Sequence, residues 1–305
     1  SATNDWDTGS TWDTSSVPPA GANVNIKHDI SLDDNKTIHD ITIDAGKTFT
    51  GSDGSNAYEL TSILTGEFIN NGTFTASDGK VIFDGDNVIS GSTTTIFKNV
   101  DISGGVNFGG AEIDGTLDVL ANGFATDGDP PTYNNGSTLK FSTGGDYDIT
   151  SDLTLWNGSA SGAGVPDNVV INTSEVDLQE ARTISGDLTV NGSGNLTLEN
   201  KALTVNGNVT NDGLIDFQAG SDQALTIQGD LTNNDAINLS DTDGGDLILQ
   251  GNFTDTGNFN SNSRAIFLTG GNSQSLDANT NTTIDFINIE KGGGSLQLND
   301  NLSVS

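Results

Sequence analysis

The sequence predicts an all-β chain built as a solenoid of parallel strands. Three observations carry this. First, a Gly followed by Asp or Asn recurs at Gly186, Gly207, Gly229 and Gly251, in steps of 21, 22 and 22 residues. Self-similarity at a fixed period above about 20 residues marks a repeat architecture. Second, three of these glycines follow the alternating triplets Leu203-Thr204-Val205, Leu225-Thr226-Ile227 and Leu247-Ile248-Leu249. A period of two puts each apolar pair on one face of a strand. Third, each glycine leads into another short strand and a polar turn (NVTNDG, DLTNND, NFTDTG). After the turn come Leu214 and Ile215, Ala236 and Ile237, then Asn258 and Phe259. One such coil cannot bury its apolar face. Stacked coils close a shared core, with equivalent strands paired about 4.8 Å apart. A sandwich also gives short strands and polar turns, but not the same spacing three times running. The turns are read as using Gly, Asn and Asp because these reach left-handed backbone conformations cheaply.

Composition agrees with a thin core. Among 305 residues only 32% are hydrophobic and 6% aromatic, while Gly alone contributes 39. That is sparse for one globular core and sufficient where each coil supplies a few Leu, Ile or Val. Cys is absent, which excludes a disulfide framework and thiol chemistry. Met is absent too, even at the first position, and the Ser-Ala-Thr start reads as a mature chain after removal of a secretion signal. No apolar run is long enough to span a membrane. With 42 acids against 10 Lys and Arg the net charge is −32, which repels nucleic acid and anionic lipid. Two accounts of that acidity stand side by side: a salt- or divalent-rich exterior, or a preference of solenoid turns for Asp.

Taken in order, residues 1–25 read as an N-terminal cap. Trp6 and Trp12, each followed by Asp, and the Val17-Pro18-Pro19 turn would plug the open end of the first coil; the alternative is a pair of Trp platforms for sugar rings. Residues 26–305 read as the solenoid, at about 20–24 residues per coil. Its early candidates include Ile41/Ile43, Ile63/Leu64, Phe68/Ile69, Val81/Phe83, Phe97, Val100/Ile102 and Leu117/Val119. Two stretches read as loop excursions, 121–138, where Pro130-Pro131 opposes strand pairing, and 157–168, rich in small residues. Tyr133, Phe141, Tyr147 and Trp156 fall close together here, so Tyr133, Tyr147 and Trp156 form the candidate binding patch for a glycan. The final stretch, 295–305, stops in what reads as a strand. Leu302 and Val304 are then exposed to assembly with a copy of the chain, by head-to-tail contact or strand donation, or with the rest of a longer one.

The opening VPPAGANVNI, residues 17–26, after the two Trp resembles the start of large, secreted, repeat-rich surface proteins of bacteria. ITIDAGKTFT (41–50), GEFINNGTFTASDGKVIFDGDN (66–87), VISGSTTTIFKNVDIS (88–103) and FINIEKGGGSLQLNDNLSV (286–304) follow the same grammar. The resemblance implies a right-handed parallel β-helix exported to the cell surface. It says little about role, since such coils serve as stalks, adhesins and fibres.

The search for chemistry is mostly negative. His28 and His39 have no metal-ligand spacing, and neither a nucleophile elbow nor a phosphate-binding loop is present. Polysaccharide-cleaving enzymes need clustered acids, and the clusters here are Asp84/Asp86, Asp127/Asp129 and Asp241/Asp243/Asp246, with Arg only at 182 and 264. Asp241, Asp243 and Asp246, at alternate positions around a Gly-Gly bend, are candidate oxygen ligands for calcium; a solvated turn is the plain alternative. N-x-[ST] sequons at Asn35, Asn71, Asn157, Asn208 and elsewhere permit glycosylation. An ice-binding threonine ladder fails at Ile248, which follows Thr204 and Thr226. The expected function is therefore a non-catalytic, self-associating extracellular structural element. A glycan-binding adhesin is second and a polysaccharide lyase or hydrolase third.

Overall fold

The computed structural model describes residues 4–52, 56–148, 155–278, 282 and 284–299. Strands dominate, the described residues hold no α-helix, and the described pairings between strands are parallel. The coils belong to a β-solenoid of about 12 turns in all. A uniform period of about 22 residues would give about 14; the cap, and a coil that returns only after 31 residues between Thr143 and Ser174, account for the difference. The chain divides into two compact units, Ser1–Thr138 with Gly162–Gly164, and Leu139–Ser161 with Val165–Ser305. No described helix is long and apolar enough to cross a membrane.

In the second unit each coil contributes three short strands to three sheets. One sheet runs from Asp146–Asp148 through Glu175–Asp177, Asn195–Thr197, Leu214–Asp216 and Ala236–Asn238 to Asn258–Asn260. Another runs from Arg182–Ile184 through Leu203–Val205, Leu225–Ile227, Leu247–Leu249 and Ala265–Leu268 to Phe286–Ile289. The third carries Leu188–Val190, Val209–Asn211, Leu231–Asn233, Phe253–Asp255 and Gln274–Ala278. Alternation decides which side chains turn inward. Leu203, Leu225 and Leu247 form one fully buried column, and Val205, Ile227 and Leu249 the next. Of the apolar pairs after the turns only the second member is buried: Ile215, Ile237 and Phe259.

The recurrent glycines have a reason other than the one expected. Gly186, Gly207, Gly229 and Gly251 are not among the residues with positive φ. What they require is room. A Cβ on Gly207 would lie 2.5 Å from the Gly186 carbonyl oxygen, on Gly229 2.4 Å from that of Gly207, and on Gly251 2.2 Å from that of Gly229. The backbone of each coil rests on the backbone of the coil below, and any side chain would separate them. Left-handed conformations fall at other turn residues, including Asn122, Glu199, Asn200, Gln218 and Asn262.

The residue after each glycine ties the stack together. The Asp187 carboxylate accepts the Asn208 N–H (2.7 Å), the Asn208 side chain accepts the Asp230 N–H (2.9 Å), and Asp230 accepts the Asn252 N–H (2.7 Å). At the last position of strands in the third sheet, polar residues point into the core. Asn211 and Asn233 are fully buried and Asp255 nearly so. The Asn211 amide donates to Asn233 Oδ1 and the Asn233 amide to Asp255 Oδ1, each at 2.7 Å. Each also reaches backbone, Asn211 Nδ2 donating to the Ala236 carbonyl at 2.8 Å. A buried amide ladder of this kind is stable only because its donors are satisfied within the ladder or by backbone.

The first unit varies more in coil length and packs aromatic rings. Ile30, Phe49 and Phe74 occupy one register column, and Phe68, Phe74, Phe83 and Phe97 meet at centroid distances of 5.1 to 6.4 Å. Leu60, Val81, Val100 and Leu117 form another column. The Ile63/Leu64 pair does not face the core. Leu60 and Ser62 turn inward instead, and Leu64 is a 65% exposed turn residue with φ 61°. Residues 121–138, expected to leave the solenoid, stay within it. Phe124–Ala125 pairs with Gly105–Val106, and Thr132–Tyr133 with Glu112–Ile113. Pro130 and Pro131 stand in the turn between these strands, where no ladder donor is needed. Of residues 157–168, expected as a second excursion, 157–167 carry no strand and Asn168 opens the strand Asn168–Ile171.

Gly229→Ala is therefore expected to lower unfolding stability by about 2 kcal/mol or more, whereas Gly271→Ala, where a Cβ meets nothing within 4 Å, stays within about 0.5 kcal/mol of the parent in denaturant titrations.

Candidate functional site

The acidic turn singled out for calcium spans Asp241 to Asp246, and its three carboxylates are occupied separately. Asp241 accepts the Gly220 N–H at 2.9 Å and the Thr242 hydroxyl at 3.1 Å; the Gly220 bond holds its carboxyl below the usual range. Asp243 pairs with the Arg264 guanidinium. Asp246 accepts the Ala265 N–H at 2.9 Å. These bonds tie neighbouring coils, and the cation present is an arginine. Among the described residues no group of three or more His, Asp or Glu is arranged to hold a metal. In the first unit the Asp84/Asp86 pair behaves alike: Asp84 accepts the Ser103 hydroxyl (3.1 Å) and Asp86 the Gly105 N–H (3.2 Å).

The three aromatics of the candidate patch form no exposed shelf. Tyr133 is buried in its register position on Ile113. Trp156 is fully buried, and its Nε1 donates to the Thr183 carbonyl at 2.9 Å. Tyr147 is half-buried against Phe141, with centroids 5.1 Å apart. Period-two alternation sends Tyr133 inward, and the other two pack beside their own coils. Leu302 and Val304 lie outside the described residues. His28 is exposed, and His39 Nδ1 lies 2.9 Å from Asp40 Oδ1.

The two cap tryptophans separate in role. Trp6 is 1% exposed, lies 6.0 Å from Phe49 and meets Trp12 edge-on at 4.9 Å. Trp12 is half-exposed, its Nε1 donating to the Trp6 carbonyl at 2.8 Å. It lines a groove of about 270 Å³ with Pro18, Pro19, Asn23, Asn25 and His28. Nearby, Lys27 pairs with Asp13 at 3.6 Å. The sequence reading missed this groove, although alternation in Asn23-Val24-Asn25-Ile26 signals it: Val24 and Ile26 are buried, so both Asn face outward.

Protein-family models, curated proteins and solved structures give no match to this chain. What the arrangement can do must come from its own chemistry. An aromatic face beside two amides and an ion pair suits a polar ring such as a pyranose.

One carboxyl stands apart. Asp177, on the outward face of Glu175–Asp177, has its Oδ1 buried and unpartnered. Burial first, then the charges of Asp146, Glu199 and Glu175, raise its pKa to about 6. The folded state thus holds this proton more tightly than the unfolded chain. The stability it gives is complete below the unfolded pKa, near 4, and is lost as pH rises through about 6. Asp177→Asn is expected to raise the thermal midpoint at about pH 7.5, and the difference from the parent should vanish toward about pH 4.

Proposed function

We propose that this chain is a non-catalytic structural β-solenoid of the extracellular cell surface that extends by end-to-end association with copies of itself. One observation carries the reading. In Phe286–Ile289, register sets Ile287 on Ile266 and Ile289 on Leu268, two columns that are buried lower down. Ile289 is nevertheless 57% exposed, and Leu298, set on Leu276, is 51% exposed. These strands present core columns on which a further coil would fit, whether from a copy of the chain or from more of a longer one. A coil of parallel strands is the complementary surface, because it continues both the apolar columns and the hydrogen-bond ladder. A heterologous contact of this kind propagates into filaments. The cell-surface setting is supported by the resemblance of the opening.

Sedimentation velocity and negative-stain microscopy, with and without calcium, test this. The parent chain is expected to form filaments as concentration rises, and Ile289→Asp with Leu298→Asp to remain as single particles. Single particles of the parent at every concentration would overturn it. Calcium-dependent filaments would return the Asp241–Asp246 turn to consideration.

A second reading, a glycan-binding adhesin module, is favoured by the Trp12 groove alone. Trp12→Ala is then expected to abolish binding on a glycan array while leaving the filaments intact.

A further inference from the structure

Arg182 stands in a column that is otherwise aliphatic. Register sets it against Leu203, and the column continues through Leu225, Leu247 and Ile266. All four are fully buried. The Arg182 side chain is equally enclosed, at 0% exposure. A guanidinium carries five N–H donors and no acceptor. Among the described residues none of Nε, Nη1 and Nη2 has a hydrogen-bond partner. Nη1 lies 3.5 Å from Glu180 Oε2, but that side chain is 52% exposed and approaches one corner of the fork.

Burial lowers the Arg182 pKa, yet a guanidinium does not give up its proton in a protein. The charge therefore stays, desolvated and with its donors unmet, where an aliphatic side chain would match every later coil. Arg264, the other arginine, pairs directly with Asp243. The surroundings of Arg182 are close-fitting. Trp156 is fully buried and bonded to the Thr183 carbonyl. A Cβ on Gly158 would lie 3.2 Å from Glu180 Oε2 and 3.9 Å from Arg182 Nη1, so the backbone there backs onto the guanidinium and its neighbour.

We propose that Arg182 is a built site for a small inorganic anion, held by the guanidinium fork beside Gly158. The fork supplies two parallel donors of the kind that oxyanions accept, and chloride takes the same donors. Full enclosure sets the size. Enclosure favours a small ion, chloride or a compact oxyanion, over a sugar acid or a peptide carboxylate. A chain of net charge −32 repels anions over its exterior, so an anion retained by this protein is a property of the enclosed site. The role is structural: ligand and fold are linked, and the anion stabilises the coil that follows the 157–167 loop.

Thermal unfolding at constant ionic strength tests it, with chloride or sulfate exchanged against gluconate, which is too bulky to enter. The parent midpoint is expected to rise by about 3 °C per tenfold increase in chloride or sulfate above its dissociation constant. Arg182→Leu should show no such rise, and Arg182→Lys, with fewer donors, a shallower one. Bromide-soaked crystals of the parent should show an anomalous peak within hydrogen-bonding distance of the guanidinium, and this readout stands even where Arg182→Leu fails to fold. Equal anion dependence in the parent and Arg182→Leu, no dependence in the parent, or bromide found only at surface lysines would each overturn the proposal.

Discussion

The direct contact of one coil's backbone with the next governs this molecule. Parallel strands about 4.8 Å apart leave no space for a Cβ where turns stack on turns. Gly207, Gly229 and Gly251 meet that constraint through their lack of a side chain, not through a special φ. The same closeness puts the side-chain oxygen of each following Asp or Asn within reach of the next coil's N–H, giving the series Asp187, Asn208, Asp230 and Asn252. Steric exclusion and hydrogen bonding thus repeat together, and the Gly-Asp/Asn pair is their record in the sequence.

This contact also bears on the acidity. Asp86, Asp187, Asp230, Asp241 and Asp246 each accept a backbone N–H from a neighbouring coil. A turn that must accept such bonds selects Asp or Asn, and an all-strand chain with many turns accumulates carboxylates. The few cations go to local pairs, such as Lys80 with Asp101 at 2.7 Å and Lys36 with Asp7 at 2.8 Å. These bonds support the reading of acidity as turn chemistry. They also explain why acids spaced like calcium ligands at Asp241, Asp243 and Asp246 point to separate partners.

Two polar departures from the apolar pattern inside the second unit differ in their physical consequences. Asn211, Asn233 and Asp255 form a ladder in which each buried donor meets an acceptor on the next coil. Repetition makes that arrangement possible, since every rung supplies what its neighbour lacks. Arg182 has no such neighbour in its column, because Leu203 follows it. A polar group is tolerable in this core when the repeat carries its complement, and Arg182 is the place where the repeat does not.

The sequence alone determined the parallel solenoid, its coils from 186 onward and the inward columns of Leu203 to Leu249, because a strict period of two within a period of 22 admits one stacking register. It also determined the absence of cysteine chemistry and the sign of the surface charge. Tertiary structure decided the fate of each polar and aromatic side chain. Trp156 is buried, Trp12 rather than Trp6 reaches solvent, Leu64 lies exposed in a turn, and residues 121–138 remain in the stack despite Pro130-Pro131. The reason is that alternation sorts residues by face only within a strand. At turns and caps the direction of a side chain depends on the coils above and below, which are distant in sequence.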